Sequence, residues 1–276
     1  MMFKQPLTAS VFFSVHWRDG AALSTGADHR LAITWPSPGH GRSWRCGHHQ
    51  TGADWQGAGR REATVSHDVS HVCELAVSQR NRGSRLLVGI AGPPASGKST
   101  FAEAVVSRLN QQGGPAASPA ALLPMDGYHL DNGLLRSRGL LARKGAPQTF
   151  DSHGFCDALL RLQKADTESF FPRFDRQRDL AVANAISVAP DVGIVVVEGN
   201  YLLLKADPWS RLERLFGLTV FLSPGLDVLR QRLQLRWITH GLDQKAALHR
   251  VTQNDLPNAE LVLAQSRPAD LLLTQD

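Results

Sequence analysis

The sequence predicts an α/β protein with a parallel sheet covered by helices on both faces. Three observations carry that expectation. Short apolar runs such as Leu86–Ala91, Gly193–Glu198 and Leu218–Leu222 are the length of buried strands and are bounded by turn residues or charges. Segments of helical period lie between them, so the strands alternate with helices and run parallel. A Gly-rich segment, Gly92-Pro93-Pro94-Ala95-Ser96-Gly97-Lys98-Ser99, follows the first run and fits G-x-x-x-x-G-K-[ST].

The elements follow in order. Leu86–Ala91 is the first strand, and after the Gly-rich loop Phe101, Val105 and Leu109 recur at helical spacing until Gly113-Gly114-Pro115 stops the helix. Ala121–Met125 is the second strand, and Pro124 places it at the sheet's edge or marks its end. Gly193–Glu198, rich in β-branched residues, is the third, Leu218–Leu222 the fourth and Asp270–Thr274 the fifth. Strand, phosphate loop and helix together predict a P-loop NTPase three-layer sandwich on a five-stranded parallel sheet. There is no internal repeat.

The loop's residue types match its chemistry. Its glycines let successive backbone N–H groups curl around phosphate oxygens, and the helix N-terminus adds partial positive charge. Gly92, Pro93, Pro94, Ala95, Ser96, Gly97, Lys98, Ser99 and Thr100 are the expected nucleotide contacts. Lys98 would reach the β- and γ-phosphates and the Ser99 hydroxyl would ligate Mg²⁺.

The chain has 276 residues and a formal charge of +5. Residues 1–83 carry nine Lys/Arg against six Asp/Glu, and residues 84–276 carry 21 against 19. The organised part is therefore nearly neutral, which argues against a nucleic-acid backbone as partner. Cys46, Cys73 and Cys156 are too scattered for a disulfide framework or a zinc site. No apolar run is long enough to span a bilayer, and Val11-Phe12-Phe13 is too short for a signal-peptide core. No membrane partner and a cytoplasmic location are expected.

Residues 1–64 differ from the rest. Trp17, Trp35, Trp44 and Trp55 lie there among Gly, Ser, Arg and His without a sustained period. Cys46, His48 and His49 are too crowded for a tetrahedral metal site on their own. The expectation is an extension over 1–64 that does not fold, with Val65 as an alternative start, and a single domain over 65–276. A helix-like segment runs from Val69 to Arg80.

In open parallel sheets, ligands bind beyond the carboxyl ends of the strands. The second strand runs into Asp126-Gly127-Tyr128-His129 and the third ends in Glu198-Gly199-Asn200-Tyr201. Two carboxylates thus arrive beside the phosphate loop from separate strands. Phosphoryl transfer needs a group to take the acceptor hydroxyl's proton and acidic help in holding Mg²⁺. Asp126 suits the first task and Glu198 the second, although Asp-Gly is also a common turn pair. Arg143-Lys144-Gly145-Ala146-Pro147 and Pro172-Arg173-Phe174-Asp175-Arg176 supply basic groups between the second and third strands. After the fourth strand, Leu226, Leu229, Leu233 and Trp237 form one helical stripe, and Arg232, Arg236 and His240 another. Such a helix would make a lid over a triphosphate. A solvated arginine face is the ordinary alternative. His129, Cys156 and Trp209 are expected to serve packing or surface.

With these residues placed, roughly residues 70–276 resemble the phosphoribulokinase/uridine kinase/pantothenate kinase family of P-loop small-molecule kinases. The resemblance rests on Gly92–Ser99, Pro124–Tyr128, Arg143–Pro147 with Thr149-Phe150-Asp151, Pro172–Arg176, Val197–Tyr201 and Asn254-Asp255-Leu256-Pro257-Asn258-Ala259. It is nearest a bacterial branch labelled nucleoside/nucleotide kinase-like or fructose-transport-system kinase. The resemblance implies that Asp126 is the catalytic base, Glu198 a Walker-B-type acid, and Arg232 and Arg236 the lid arginines. It also places Arg173 and Asp175 toward the substrate, and Tyr128, Arg143 and Lys144 are further candidate substrate contacts. Asp126-Gly127-Tyr128-His129 departs from the Asp-Ser-Phe-Tyr usual in uridine kinases, and Pro172–Arg176 departs from the pantothenate kinase form, so the acceptor stays unnamed. The expected activity is ATP- and Mg²⁺-dependent phosphorylation of a hydroxyl on a sugar, nucleoside or pantothenate-like alcohol, with a homodimer left open. The alternative is a nucleotide-binding regulatory protein without productive transfer.

Overall fold

The computed structural model describes residues 43–45, 63–81, 84–112 and 120–275. In chain order the elements are β1 (Ser43–Arg45), β2 (Ala63–Thr64), α1 (Val65–Gln79), β3 (Leu86–Ala91), α2 (Lys98–Gln112) and β4 (Ala120–Pro124). There follow α3 (Asn132–Ser137), α4 (Ser152–Lys164), β5 (Ser169–Asp175), β6 (Leu180–Val188), β7 (Ile194–Gly199) and β8 (Leu218–Leu222). The chain closes with α5 (Leu226–Thr239), α6 (Gln244–Arg250), α7 (Leu256–Gln265) and β9 (Leu271–Gln275).

The main sheet has the order β2-β1-β9-β8-β3-β7-β4. Its five strands from β9 to β4 are parallel, as expected. Strand β3 lies in the middle, with later strands added on either side, which makes its carboxyl end a topological switch point. Strand β4 is the edge and Pro124 its last residue, where a missing N–H costs no ladder bond.

The apolar runs are continuous because the sheet is covered twice. Along β3, Leu87 and Ala91 face one core while Leu86, Val88 and Ile90 face the other. Along β7, Val195 and Val197 join the first core and Ile194 and Val196 the second. Successive side chains point to opposite faces, so a strand buried on both must be apolar at every position. The first core is closed by α4 through Phe155, Leu159 and Leu162, the second by α1 and α2 through Val72, Cys73, Phe101 and Val105. Cys73, Cys156 and Trp209 are all buried packing residues.

Arg85, just before β3, is buried and donates to the carbonyls of Val192 (2.9 Å), Leu162 (2.5 Å) and Ala189 (3.1 Å). One guanidinium thereby ties the C-terminal turn of α4 to the entries of β3 and β7. Leu162 lies in that last turn, where free carbonyls favour a cation.

Three features differ from the sequence expectation. Strands β5 and β6 form a separate antiparallel hairpin inside the segment read as an insertion. Pro172 hid it, since proline argues against a strand; here it falls at the register shift between Phe171 and Arg173. Helix α1 begins at Val65, ahead of the periodic segment. Within the expected extension, β1 pairs antiparallel with β9 and with β2, and the remainder of 1–64 lies outside the described residues. Among the described residues no helix is long and apolar enough to cross a membrane.

Candidate functional site

The carboxyl ends of β3, β4 and β7 gather the site. The register sets Glu198 level with Ile90 on one side and Pro124 on the other. Glu198 therefore sits at the edge between the phosphate loop, which leaves β3 after Ala91, and Asp126, which follows β4.

The loop has the backbone that a phosphate cradle needs. Ala95 (φ 63°) and Gly97 (φ 90°) are left-handed, which turns consecutive N–H groups to one side. Helix α2 then starts at Lys98. Lys98 is half-buried; burial lowers its ammonium pKa, while the charges of Glu198 and Asp126 oppose that shift.

Ser99 Oγ donates to Glu198 Oε1 at 3.2 Å, which brings the two expected metal ligands together. Glu198 is 3% exposed, and burial pushes its carboxyl up to about 7 against the pull of Lys98. Among the described residues no three His, Cys, Asp or Glu side chains cluster as a metal cage. Two hard oxygen donors beside a phosphate loop nevertheless fit Mg²⁺, which is commonly held by one or two protein groups, phosphates and water. The left-handed loop fits a nucleotide's phosphates.

Asp126 lies on the one-turn 3₁₀ helix Met125–Tyr128 that follows β4. Its Oδ2 accepts from Arg176 at 2.9 Å. Burial alone would raise this carboxyl; the positive charges of His129, Arg176, Lys98 and Arg236 outweigh it and hold Asp126 below the usual carboxylate range. The two carboxylates are thus driven apart, Asp126 toward the ionised form and Glu198 toward the protonated one.

The Asp126 turn is held on several sides. His129 Nδ1 lies 2.8 Å from the Asp126 carbonyl, and its ring packs between Phe150 and Phe174. Leu130 N donates to Thr149 O and Asp151 N to Tyr128 O, so Thr149-Phe150-Asp151 runs alongside the turn. Gly127 is required by close approach: a Cβ there would lie 2.2 Å from the Pro172 carbonyl oxygen on β5. The Asp-Gly pair is thus more than a turn signal.

Helix α5 sits on the phosphate loop. Arg232 NH1 lies 3.3 Å from the Ala95 carbonyl, and Ala95 packs with Trp237 against the cluster of Leu233, Val251 and Leu256. Leu229 and Leu233 are buried and Arg232 and Arg236 half-buried, while Leu226, expected in the apolar stripe, is exposed with Leu235 and Ile238 because it sits in the first turn of the helix. Arg232 and Arg236 thus flank the buried leucines and are not on a fully solvated face. Burial lowers the Arg236 pKa, and Arg176 adds to that effect by repulsion while Asp126 and Asp255 oppose it. His240 is exposed at the end of α5.

The expected substrate residues divide. Lys144 Nζ is bound by Asn132 Oδ1 (2.7 Å) and Asp179 Oδ1 (2.8 Å). Arg143 NH1 donates to the Gln253 carbonyl at 2.5 Å. Asp175 Oδ1 accepts from the Gln177 and Arg178 amides, closing the β5–β6 turn. These three side chains are engaged in fixing backbone. Tyr128 packs edge-on against Phe155, and burial pushes its hydroxyl up to about 12. Arg173 is exposed on β5. Sequence reasoning named Arg176 in a basic segment without giving it a role, because no spacing links it to Asp126 across 50 residues. It passed over Arg250, which donates to the Ala142 and Lys144 carbonyls and lies over the Trp237 ring.

Fold and site together define a P-loop kinase. A scan of family models returned no match. The uncharacterized protein YggC of Escherichia coli K12 is 35% identical over 198 residues, 72% of this chain and 81% of its own. A Schizosaccharomyces pombe protein named "Putative uridine kinase C227.14" is 34% identical, over 75% of this chain and 92% of its own. A crystal structure from Silicibacter sp. TM1040, described as a "putative fructose transport system kinase", is 40% identical with a TM-score of 0.69 and covers 74% of this chain and 98% of that one. The chain belongs to the phosphoribulokinase/uridine kinase/pantothenate kinase family.

Proposed function

We propose that this protein transfers the γ-phosphate of ATP to a hydroxyl group of a small metabolite, with Mg²⁺ as cofactor. The observation that carries the proposal is Asp126: an ionised carboxylate, delivered from a separate strand, in the electrostatic field of the phosphate-loop lysine and of Glu198. A pure nucleotide sensor has no use for it.

Bound Mg-ATP supplies the transferable phosphoryl group and the metal that screens its charge. The backbone N–H groups of the phosphate loop, which Pro93 and Pro94 lack, and the Lys98 ammonium would hold the phosphates. Ser99 Oγ and a Glu198 oxygen would hold the metal. Asp126 orients the acceptor hydroxyl and takes its proton at a carboxylate oxygen. Arg232 and Arg236, brought over the loop by α5, meet the negative charge that develops on the transferring group.

Asp126→Asn tests this. The amide keeps the side chain's size and turn-forming capacity but cannot accept the proton. Turnover of an acceptor, followed by ADP release, is expected to fall at least about 100-fold with little change in Mg-ATP affinity. Turnover within a few-fold of the parent would remove Asp126 from the mechanism and restore the sensor reading.

A further inference from the structure

We propose that Asp255 is a positioning residue for phosphoryl transfer: it holds the indole of Trp237 and thereby sets Arg236 of α5 toward the transferring phosphate. The inference rests on the kinase reading above, in which Arg236 meets that phosphate.

The carboxyl end of α5 has few attachments. Leu229 and Leu233 are buried, but Leu235, Ile238, Thr239 and the following His240 are exposed. Beyond Leu235 only Arg236 and Trp237 are partly covered in the helix. Trp237 packs against the cluster of Leu233, Val251 and Leu256. Its Nε1 donates to Asp255 Oδ2 at 2.5 Å, and the Arg250 guanidinium lies over the ring, 5.1 Å from its centre.

The acceptor of that bond is itself fixed. Asp255 is 8% exposed and closes a single π-helical turn, Val251–Asp255, between α6 and α7. Such a turn widens the helix by one residue and is found mostly at functional sites. Asn254 Nδ2 and Arg250 NH2 both donate to the Lys144 carbonyl, at 3.0 and 3.1 Å, so the turn is tied to backbone outside α5. Burial disfavours the Asp255 charge; the Trp237 N–H and the positive charges of Arg250 and Arg236 oppose that penalty.

Arg236 is the residue before Trp237, so the two side chains leave the helix about 100° apart. Fixing the indole therefore fixes the rotation of this turn and the direction of the guanidinium. Arg236 lies within the electrostatic reach of both Asp126 and Asp255, between the proposed base and the π-turn. A cation that meets charge developing during transfer has to be placed beforehand. Loss of the Trp237–Asp255 bond should therefore weaken the site toward the transferring group and leave nucleotide binding, which the phosphate loop supplies, nearly as it was.

The test uses the full chain and aluminium fluoride, an anion that takes the transferring phosphate's place beside Mg-ADP. Calorimetry gives the affinity for Mg-ADP with and without it and needs no acceptor. In the parent the anion should tighten Mg-ADP binding about 100-fold or more. Trp237→Phe keeps a ring and loses the N–H; the gain should shrink about tenfold while Mg-ADP alone binds within a few-fold of the parent. Asp255→Ala should do the same, and Asp255→Asn, whose amide oxygen can still accept from the indole, should recover most of the gain. In an Arg236→Ala background Trp237→Phe should cost nothing further, since the bond acts through Arg236. Should Trp237→Phe fail to fold, the contrast between Asp255→Ala and Asp255→Asn decides. The inference is overturned by a parent without the gain, by a gain unchanged in Trp237→Phe and Asp255→Ala, by equal losses with and without Arg236, or by Mg-ADP affinity falling in step with the gain. A gain lost in the variants, with no acceptor phosphorylated by the parent, would uphold it and sink the kinase reading; turnover of an acceptor with the gain unchanged in the variants would do the reverse.

Discussion

Gly127→Ala is the substitution that separates packing from chemistry at this site. Gly127 lies between the proposed base and the hairpin that carries Arg176, and it has no left-handed backbone to preserve. At such a position alanine would ordinarily stabilise by about 0.4–1 kcal/mol through the unfolded chain. Here its methyl carbon would meet the Pro172 carbonyl oxygen at 2.2 Å and its carbon at 2.7 Å. Both are backbone atoms of β5, so no side chain can rotate away. Relief requires the hairpin and the Asp126 turn to part by about 1 Å to reach ordinary contact distance. Overpacking of this kind costs roughly 1–3 kcal/mol, which leaves a net loss of about 1–2 kcal/mol and a melting temperature lower by roughly 2–8 °C. The kinetic effect should be larger, because a shift of about 1 Å in a positioned reacting group can cost on the order of 100-fold. Differential scanning fluorimetry and ADP release measure the two effects. Mg-ATP affinity should hold, since the phosphate loop is not part of the contact. A variant with parental melting temperature and turnover would show that the hairpin does not position the base.

The remaining predictions concern the metal and the lid. Glu198 has its carboxyl raised to about 7 by burial, so protons compete with Mg²⁺ below that value. The magnesium concentration for half-maximal turnover should therefore fall as the pH rises from about 6 to 8, and Glu198→Gln should abolish that dependence; a flat profile in the parent would remove Glu198 as ligand. Arg236→Ala should depress kcat by about 10- to 1000-fold with a smaller change in ATP affinity, because its charge is needed where negative charge develops. An unchanged kcat in Arg236→Ala would show that this half-buried arginine serves packing alone.

The alternation of apolar runs with helical segments determined the five parallel strands and their order along the chain, since a strand covered on both faces has to be apolar throughout. The spacing of Gly92, Gly97, Lys98 and Ser99 determined the phosphate loop, because that backbone shape depends on local residue type. Asp126 and Glu198 were legible for the same reason: each follows a strand, and strand ends converge in a parallel sheet. What the sequence could not express were the contacts between distant segments. Pro172 concealed the β5–β6 hairpin, whose strands pair with each other outside the main sheet, and with it the reach of Arg176 to Asp126. Lys144 and Asp175 read as basic and acidic substrate contacts, yet their charges are met by Asp179 and by neighbouring amides to fix that hairpin's turn. Local pattern records which face of an element is buried. Only the packing of one element on another decides which charged groups meet, and here that packing puts Arg176 on Asp126.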